Sequence, residues 1–162
     1  MHKVELMPSD IVIKDNFSGL DKFQKSFKEN KVAKVGIFSD KNARDDAMTN
    51  VKVGMKHEFG SFSEGIPRRS FLRDPMTFKR KELLKQAKKI IDRDIDKGIE
   101  FVLEKIGVLG ETIVQEAFAT GGFGAWQPLS DTTIKKKNSS SVLIDTGQLR
   151  RAIISKVDSN DS

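Results

Sequence analysis

The hydrophobic positions of the chain change period several times, and each change marks an element. Short β-like runs at Val4-Glu5-Leu6 and Ile11-Val12-Ile13, separated by Pro8-Ser9-Asp10, predict a first strand, an edge strand or an N-terminal arm over 1–15. Phe17, Leu20, Phe23 and Phe27 then recur at helical spacing, with Lys22, Lys25 and Lys28 on the wet side of an amphipathic helix. From Val32 to Phe38, Ala33, Val35 and Ile37 alternate with Lys34 and Gly36, as in a strand with one face buried. A polar loop over 39–46 follows. Helical spacing returns at Ala47, Val51, Met55 and Phe59; Gly54 interrupts it, and in a packed helix face a glycine points to close backbone approach.

Asp74-Pro75 predicts a strong helix start, with aspartate capping free N–H groups and proline pre-set for the first helical position. One apolar stripe runs through Phe78, Leu83, Leu84, Ala87, Ile90, Ile91 and Ile95, and a second through Ile99, Val102, Leu103, Ile106, Leu109, Ile113 and Ala117. Gly98 lies between them, so 75–119 is two helices or one bent rod, each segment roughly 30 to 35 Å long at the usual rise per residue. Lys79, Arg80, Lys81, Lys85, Lys88 and Lys89, followed by Asp92, Asp94 and Asp96, read as a solvated face. Gly121-Gly122-Phe123-Gly124 ends the helical pattern, Ser130 caps a short helix to Lys137, and 138–141 is a polar linker. Asp145 with Gln148 resembles a capping box for one helical turn, Ala152 to Val157 alternates like a strand, and 158–162 is a frayed tail. The sum is a single α+β domain over 1–162: a small mixed or antiparallel sheet packed against two long helices, or one bent helix, plus short helices.

Composition narrows the chemistry. Cysteine is absent, which removes disulfides, thiolate nucleophiles and Cys-ligated metal. No apolar run approaches a membrane span, and the first residues lack the apolar core of a signal peptide, so a cytoplasmic site of synthesis is expected. The net charge of +6 allows contact with nucleic acid or an acidic partner, but both signs mix along the chain and no groove-reading motif accompanies them. His57-Glu58 resembles the start of a zinc-protease motif, yet the second histidine is missing and Ser61 stands in its place. The glycine-rich run at 121–124 has no Lys-Ser/Thr ending, and no nucleophile elbow occurs. These residues predict no catalytic group, no metal and no cofactor.

The stretch that stands out is His57 to Arg73. His57, Glu58, Phe59 and Gly60 close a helix, a polar loop follows, and Ile66-Pro67 sets an extended exit carrying Arg68, Arg69, Ser70, Phe71 and Leu72. Gly60 can take positive φ and Pro67 holds Ile66 away from helical angles, so the corner is rigid at both ends. Its companions downstream are Trp126-Gln127-Pro128-Leu129-Ser130, with Thr133, Ile134 and Lys137, and Leu143-Ile144-Asp145-Thr146-Gly147-Gln148-Leu149.

With Val35-Gly36-Ile37 in the central strand, these pieces in this order resemble the tail-completion, or virion-morphogenesis, family of tailed bacteriophages. The resemblance spans about 120 residues and leaves out the first 30. It implies a structural virion protein, made in the host cytoplasm, that forms a ring at the neck or head-proximal end of the tail. There it would terminate the tail and join it to the head connector, as a homo-oligomer of about six copies. Its implied partners are the tail tube and connector proteins, with contact to genomic DNA in the channel. A ring needs two different patches on each subunit. The corner with Arg68, Arg69, Phe71 and Leu72 is one candidate, and the loop with Trp126 and Leu129 is the other; arginine and tryptophan are the residues most enriched in binding hot spots. A core-edge role for Trp126, a core role for Phe71 and Leu72, and a structural turn at Thr146, Gly147 and Leu149 are the plainer readings. A stand-alone basic nucleic-acid-binding module is the alternative function.

Overall fold

A computed structural model describes residues 30–44, 48–137, 142–143 and 147–159. The expected N-terminal strands and Phe17–Phe27 helix, the 138–141 linker, and Asp145 and Thr146 lie outside them. Strand β1 (Lys31–Ile37) pairs antiparallel with β2 (Ile153–Ser159), Lys31 opposite Ser159 and Ile37 opposite Ile153. Both strands arise where alternation predicted them, but β2 runs on into the expected frayed tail, because Asp158 and Ser159 find backbone partners opposite Val32 and Lys31. Between them the chain forms α1 (Asn50–Phe59), α2 (Arg73–Phe78), α3 (Arg80–Asp94), α4 (Ile99–Thr120), α5 (Asp131–Lys137) and α6 (Gln148–Arg151). The architecture is α+β, as expected.

Helix α4 lies across one face of the sheet. Its contact points are glycines because nothing larger fits: a Cβ on Gly107 would stand 2.9 Å from Ser155 Cβ, and one on Gly110 would stand 3.0 Å from Val35 Cγ2. Glu111 fastens the helix to the strand by accepting from the Ser155 backbone N–H at 3.1 Å. The core beneath α4 contains Phe71, Val114, Phe118, Leu143, Leu149 and Ile153. Phe71 and Phe118 pack at 5.4 Å between ring centres, and Trp126 meets Phe118 edge-on at 5.7 Å.

The 75–119 region resolves into separate helices. Gly98 adopts φ +100°, where L side chains are strained, and turns the chain back so that α3 and α4 run antiparallel. Lys79 reaches Glu116 at one end of this hairpin, and Lys105 reaches Asp94 at the other. Asp94 has no exposed surface and is bonded by Arg93, Lys97 and Lys105, which hold its carboxyl far below the usual carboxylate range. Sequence spacing had placed Asp94 on a solvated face; the three cations take it out of water.

Two other expectations are corrected. The apolar stripe of α1 does not face inward, since Met55 and Phe59 are 57% and 55% exposed. The packed face is one residue earlier, at Asn50, Gly54 and Glu58. A Cβ on Gly54 would lie 3.1 Å from Ile37 and 3.3 Å from Phe71, so the close approach inferred from this glycine decides which face is buried. Likewise Asp74 does not cap the following helix. Its carboxylate accepts from Arg68 at 2.6 Å, and the helix start is capped by Glu58 and Ser70 instead. The first long stripe is also incompletely covered, with Phe78, Leu84 and Ile91 exposed.

Candidate interaction site at the corner and the tryptophan loop

Helix α1 begins at Thr49, whose hydroxyl accepts from Lys52 N, and ends at Gly60, whose φ is +81°. A Cβ on Gly60 would stand 3.1 Å from Arg68 N, so the glycine admits the returning chain. Between them a tight hairpin closes through reciprocal Ser61 and Ile66 backbone bonds of 2.9 Å, with Gly65 also at positive φ. Phe62, on this hairpin, projects fully into solvent at 104% relative exposure. The hairpin is pinned at its side by Lys56 and Glu64, 2.6 Å apart.

Glu58 organises the exit from the corner. Its side chain is buried, and its oxygens accept from Ser70 Oγ at 2.6 Å and from the backbone N–H of Phe71 at 2.8 Å, Leu72 at 3.0 Å and Arg73 at 3.0 Å. One carboxylate thus satisfies three N–H groups where α2 starts, and its charge sits at the positive end of those peptide dipoles. Ser70 extends the cap by accepting from Asp74 N. The sequence signal for this was an acid on the same helical face as Gly54, obscured by the adjacent apolar spacing of Met55 and Phe59.

The tryptophan loop docks on this corner. Gly121 ends α4 in the left-handed region, and the Trp126 ring lies so tightly on Gly122 that a Cβ there would overlap the indole. Trp126 Nε1 donates to the Ser70 carbonyl at 3.0 Å. Arg69, only 6% exposed, donates from Nε to the Gln127 carbonyl at 2.9 Å and from Nη2 to the Pro128 carbonyl at 3.1 Å. Burial pulls the Arg69 pKa down, though a guanidinium keeps its charge at any physiological pH. Leu129 is half-buried, and Ser130 then caps α5 through Thr133 N as its position predicted.

The candidate residues therefore divide. Phe71 and Leu149 are in the core, Leu72 packs against it, and Trp126 and Arg69 tie loops within the subunit. Arg68 is the arginine that reaches the surface, where the salt bridge to Asp74 raises its pKa. Gly147 adopts φ +74° at the start of α6, a turn as expected. The corner and the Trp126 loop, expected as two separate patches, form one joint inside a single chain.

Two depressions flank that joint. A cleft of about 550 Å³ opens between corner and loop, with Arg44, His57, Arg69, Gln127, Leu129 and Gln148 among its walls. An apolar groove of about 490 Å³ runs beside α1 and α2, lined by Ile37, Met55, Phe59, Leu72 and Met76. Among the described residues, no group of three or more His, Asp or Glu is placed to hold a metal ion, and no helix is long and apolar enough to cross a membrane. Compared with protein-family models, with curated proteins and with solved structures, the chain matches none.

Proposed function

We propose that this chain is a structural subunit of a tailed-phage neck, forming a homo-oligomeric ring that terminates the tail and joins it to the head connector. The observation that carries the reading is the apolar surface beside the corner: Met55 and Phe59 more than half exposed, Phe62 wholly so, and the open groove next to them. Large apolar side chains left exposed along an open groove mark a contact surface. The phage assignment itself rests on the motif order from Val35 to Leu149. Because corner and loop are one joint, the ring reading takes a different second patch from that first expected. The outer edge of β1 from Val32 to Ile37 has no strand beside it among the described residues and offers one, since an open edge can pair with another chain.

Light scattering of the purified chain, alone and with tail tubes, tests assembly into a ring. Phe62→Asp removes the projecting ring at a site with no packing to lose, so it should leave the melting temperature unchanged and abolish assembly. Arg68→Glu should impair joining of heads to tails. A reconstruction of the virus lacking this chain at the junction of capsid and tail overturns the proposal.

A nucleic-acid-binding role is favoured by one feature, the outer face of α3. Arg80, Lys81, Lys85 and Lys89 there have no carboxylate partner among the described residues, whereas Lys79 and Lys88 do. Retention on DNA that falls steeply with salt would support that role.

A further inference from the structure

We propose that the cleft between corner and loop is a socket for a carboxylate on an extended segment of a partner protein, received by Arg69. The inference rests on reading the chain as a subunit that meets other proteins, and it names the chemistry of one such contact.

Arg69 keeps only 6% of its surface exposed, and it lines the cleft. Two main-chain carbonyls occupy two of its N–H donors, and no described carboxylate pairs with it. A guanidinium has five donors in a planar fork, so the side chain retains unused capacity of the kind that binds carboxylate in a two-pronged manner. The acids of the corner are committed elsewhere. Glu64 lines the same cleft but is paired with Lys56 at 2.6 Å, and Glu58 is filled by four donors of its own. A buried cation held only by carbonyl dipoles is costly to desolvate, and an incoming anion offsets that cost. The volume suits a few side chains rather than a single ion.

The lining selects a protein segment over a nucleic acid. Ile66, Pro67, Leu129, Leu143 and Leu149 supply apolar walls, which suit the side chains of a protein segment better than a sugar-phosphate backbone. Phosphate backbones are gripped by several accessible cations, and among the described residues a run of exposed cations without a carboxylate, Lys81, Lys85 and Lys89, lies on α3 instead.

The test uses the full chain and two peptides, acetyl-Leu-Glu-Leu-amide and its glutamine counterpart, followed by NMR at the Arg69 Nε–Hε signal. The glutamate peptide should shift that signal saturably and bind at least tenfold more tightly than the glutamine peptide. Arg69→Lys, which keeps the charge and loses the fork, should weaken glutamate-peptide binding at least tenfold. Binding of the two peptides within threefold of each other, or no saturable shift with either, overturns the socket. So does displacement of the glutamate peptide by inorganic phosphate at lower concentration than by acetate. An Asp145→Asn chain that binds the glutamate peptide more than tenfold tighter than the natural one also overturns it, because a carboxylate of the same chain would then hold the site. Light scattering on the same samples separates this idea from the ring: assembly without peptide binding sinks the socket alone, and peptide binding without assembly on tail tubes sinks the ring alone.

Discussion

Replacing Glu58 by glutamine isolates the second oxygen of the buried carboxylate while leaving size and shape nearly intact. The new amide oxygen can keep the N–H groups of Phe71 and Leu72, now served by Oε2. The new NH2 then stands where Oε1 accepted from Ser70 and Arg73. The Ser70 hydroxyl can rotate and accept, but the Arg73 backbone N–H meets a donor. Leaving one such group unsatisfied costs about 1–3 kcal/mol. Removing a negative charge from a helix start costs a further ~0.3–1 kcal/mol, and relief of the carboxylate's own desolvation returns part of that. The expected net loss is about 2–3 kcal/mol, which for a domain of this size lowers the melting temperature by about 5–10 °C. Glu58→Ala, which strips all four bonds, should lose about 3–5 kcal/mol. Urea unfolding at neutral pH measures both, with the slope checked for constancy. Hydrogen exchange should show faster opening of the Phe71, Leu72 and Arg73 amides in Glu58→Ala. Glutamine within about 0.5 kcal/mol of the natural residue would refute the reasoning, because the four-bond cap would then contribute no more than an exposed side chain does.

Other consequences can be checked on the same protein. Gly107→Ala drives a methyl into Ser155 Cβ on the sheet, and overpacking of about 1–3 kcal/mol should outweigh the roughly 1 kcal/mol gain in helix propensity, lowering the thermal midpoint. Trp126→Phe keeps a ring against Phe118 but abandons the Ser70 carbonyl, so urea unfolding should show a loss of about 1–3 kcal/mol. Asp94 has its pKa depressed by Arg93, Lys97 and Lys105, so its contribution is present above the unfolded value of about 3.9 and is lost as pH falls through that value toward the lower native one. The stability gap between the natural chain and Asp94→Asn, measured by urea at pH 7 and at steps below pH 4, should narrow with acid; a constant gap contradicts the three-cation clamp.

Local physics made much of this chain legible from its sequence. Alternation in 32–38 and 152–157 marked both strands, Gly98 and Gly121 marked helix boundaries, and Ser130 marked the cap of α5. Each depends on a period or on the dihedral freedom of one residue, and neither needs a distant partner. The face of α1 was not legible that way. Its apolar spacing favoured Met55 and Phe59, and only the pressure of Ile37 and Phe71 on Gly54 turned Asn50 and Glu58 inward.

The sequence by itself determined the element types, the α+β class, the lack of thiol chemistry and the stiffness of the corner at Gly60 and Pro67. Tertiary structure decided that Glu58, thirteen residues before Phe71, caps α2 and that Arg69 belongs to the loop fifty-eight residues downstream. A hydrogen bond across such separations exists only after α4 has settled on the sheet and brought the Trp126 loop against the corner. Its partners carry no periodic trace in the chain, so packing, not spacing, assigns them.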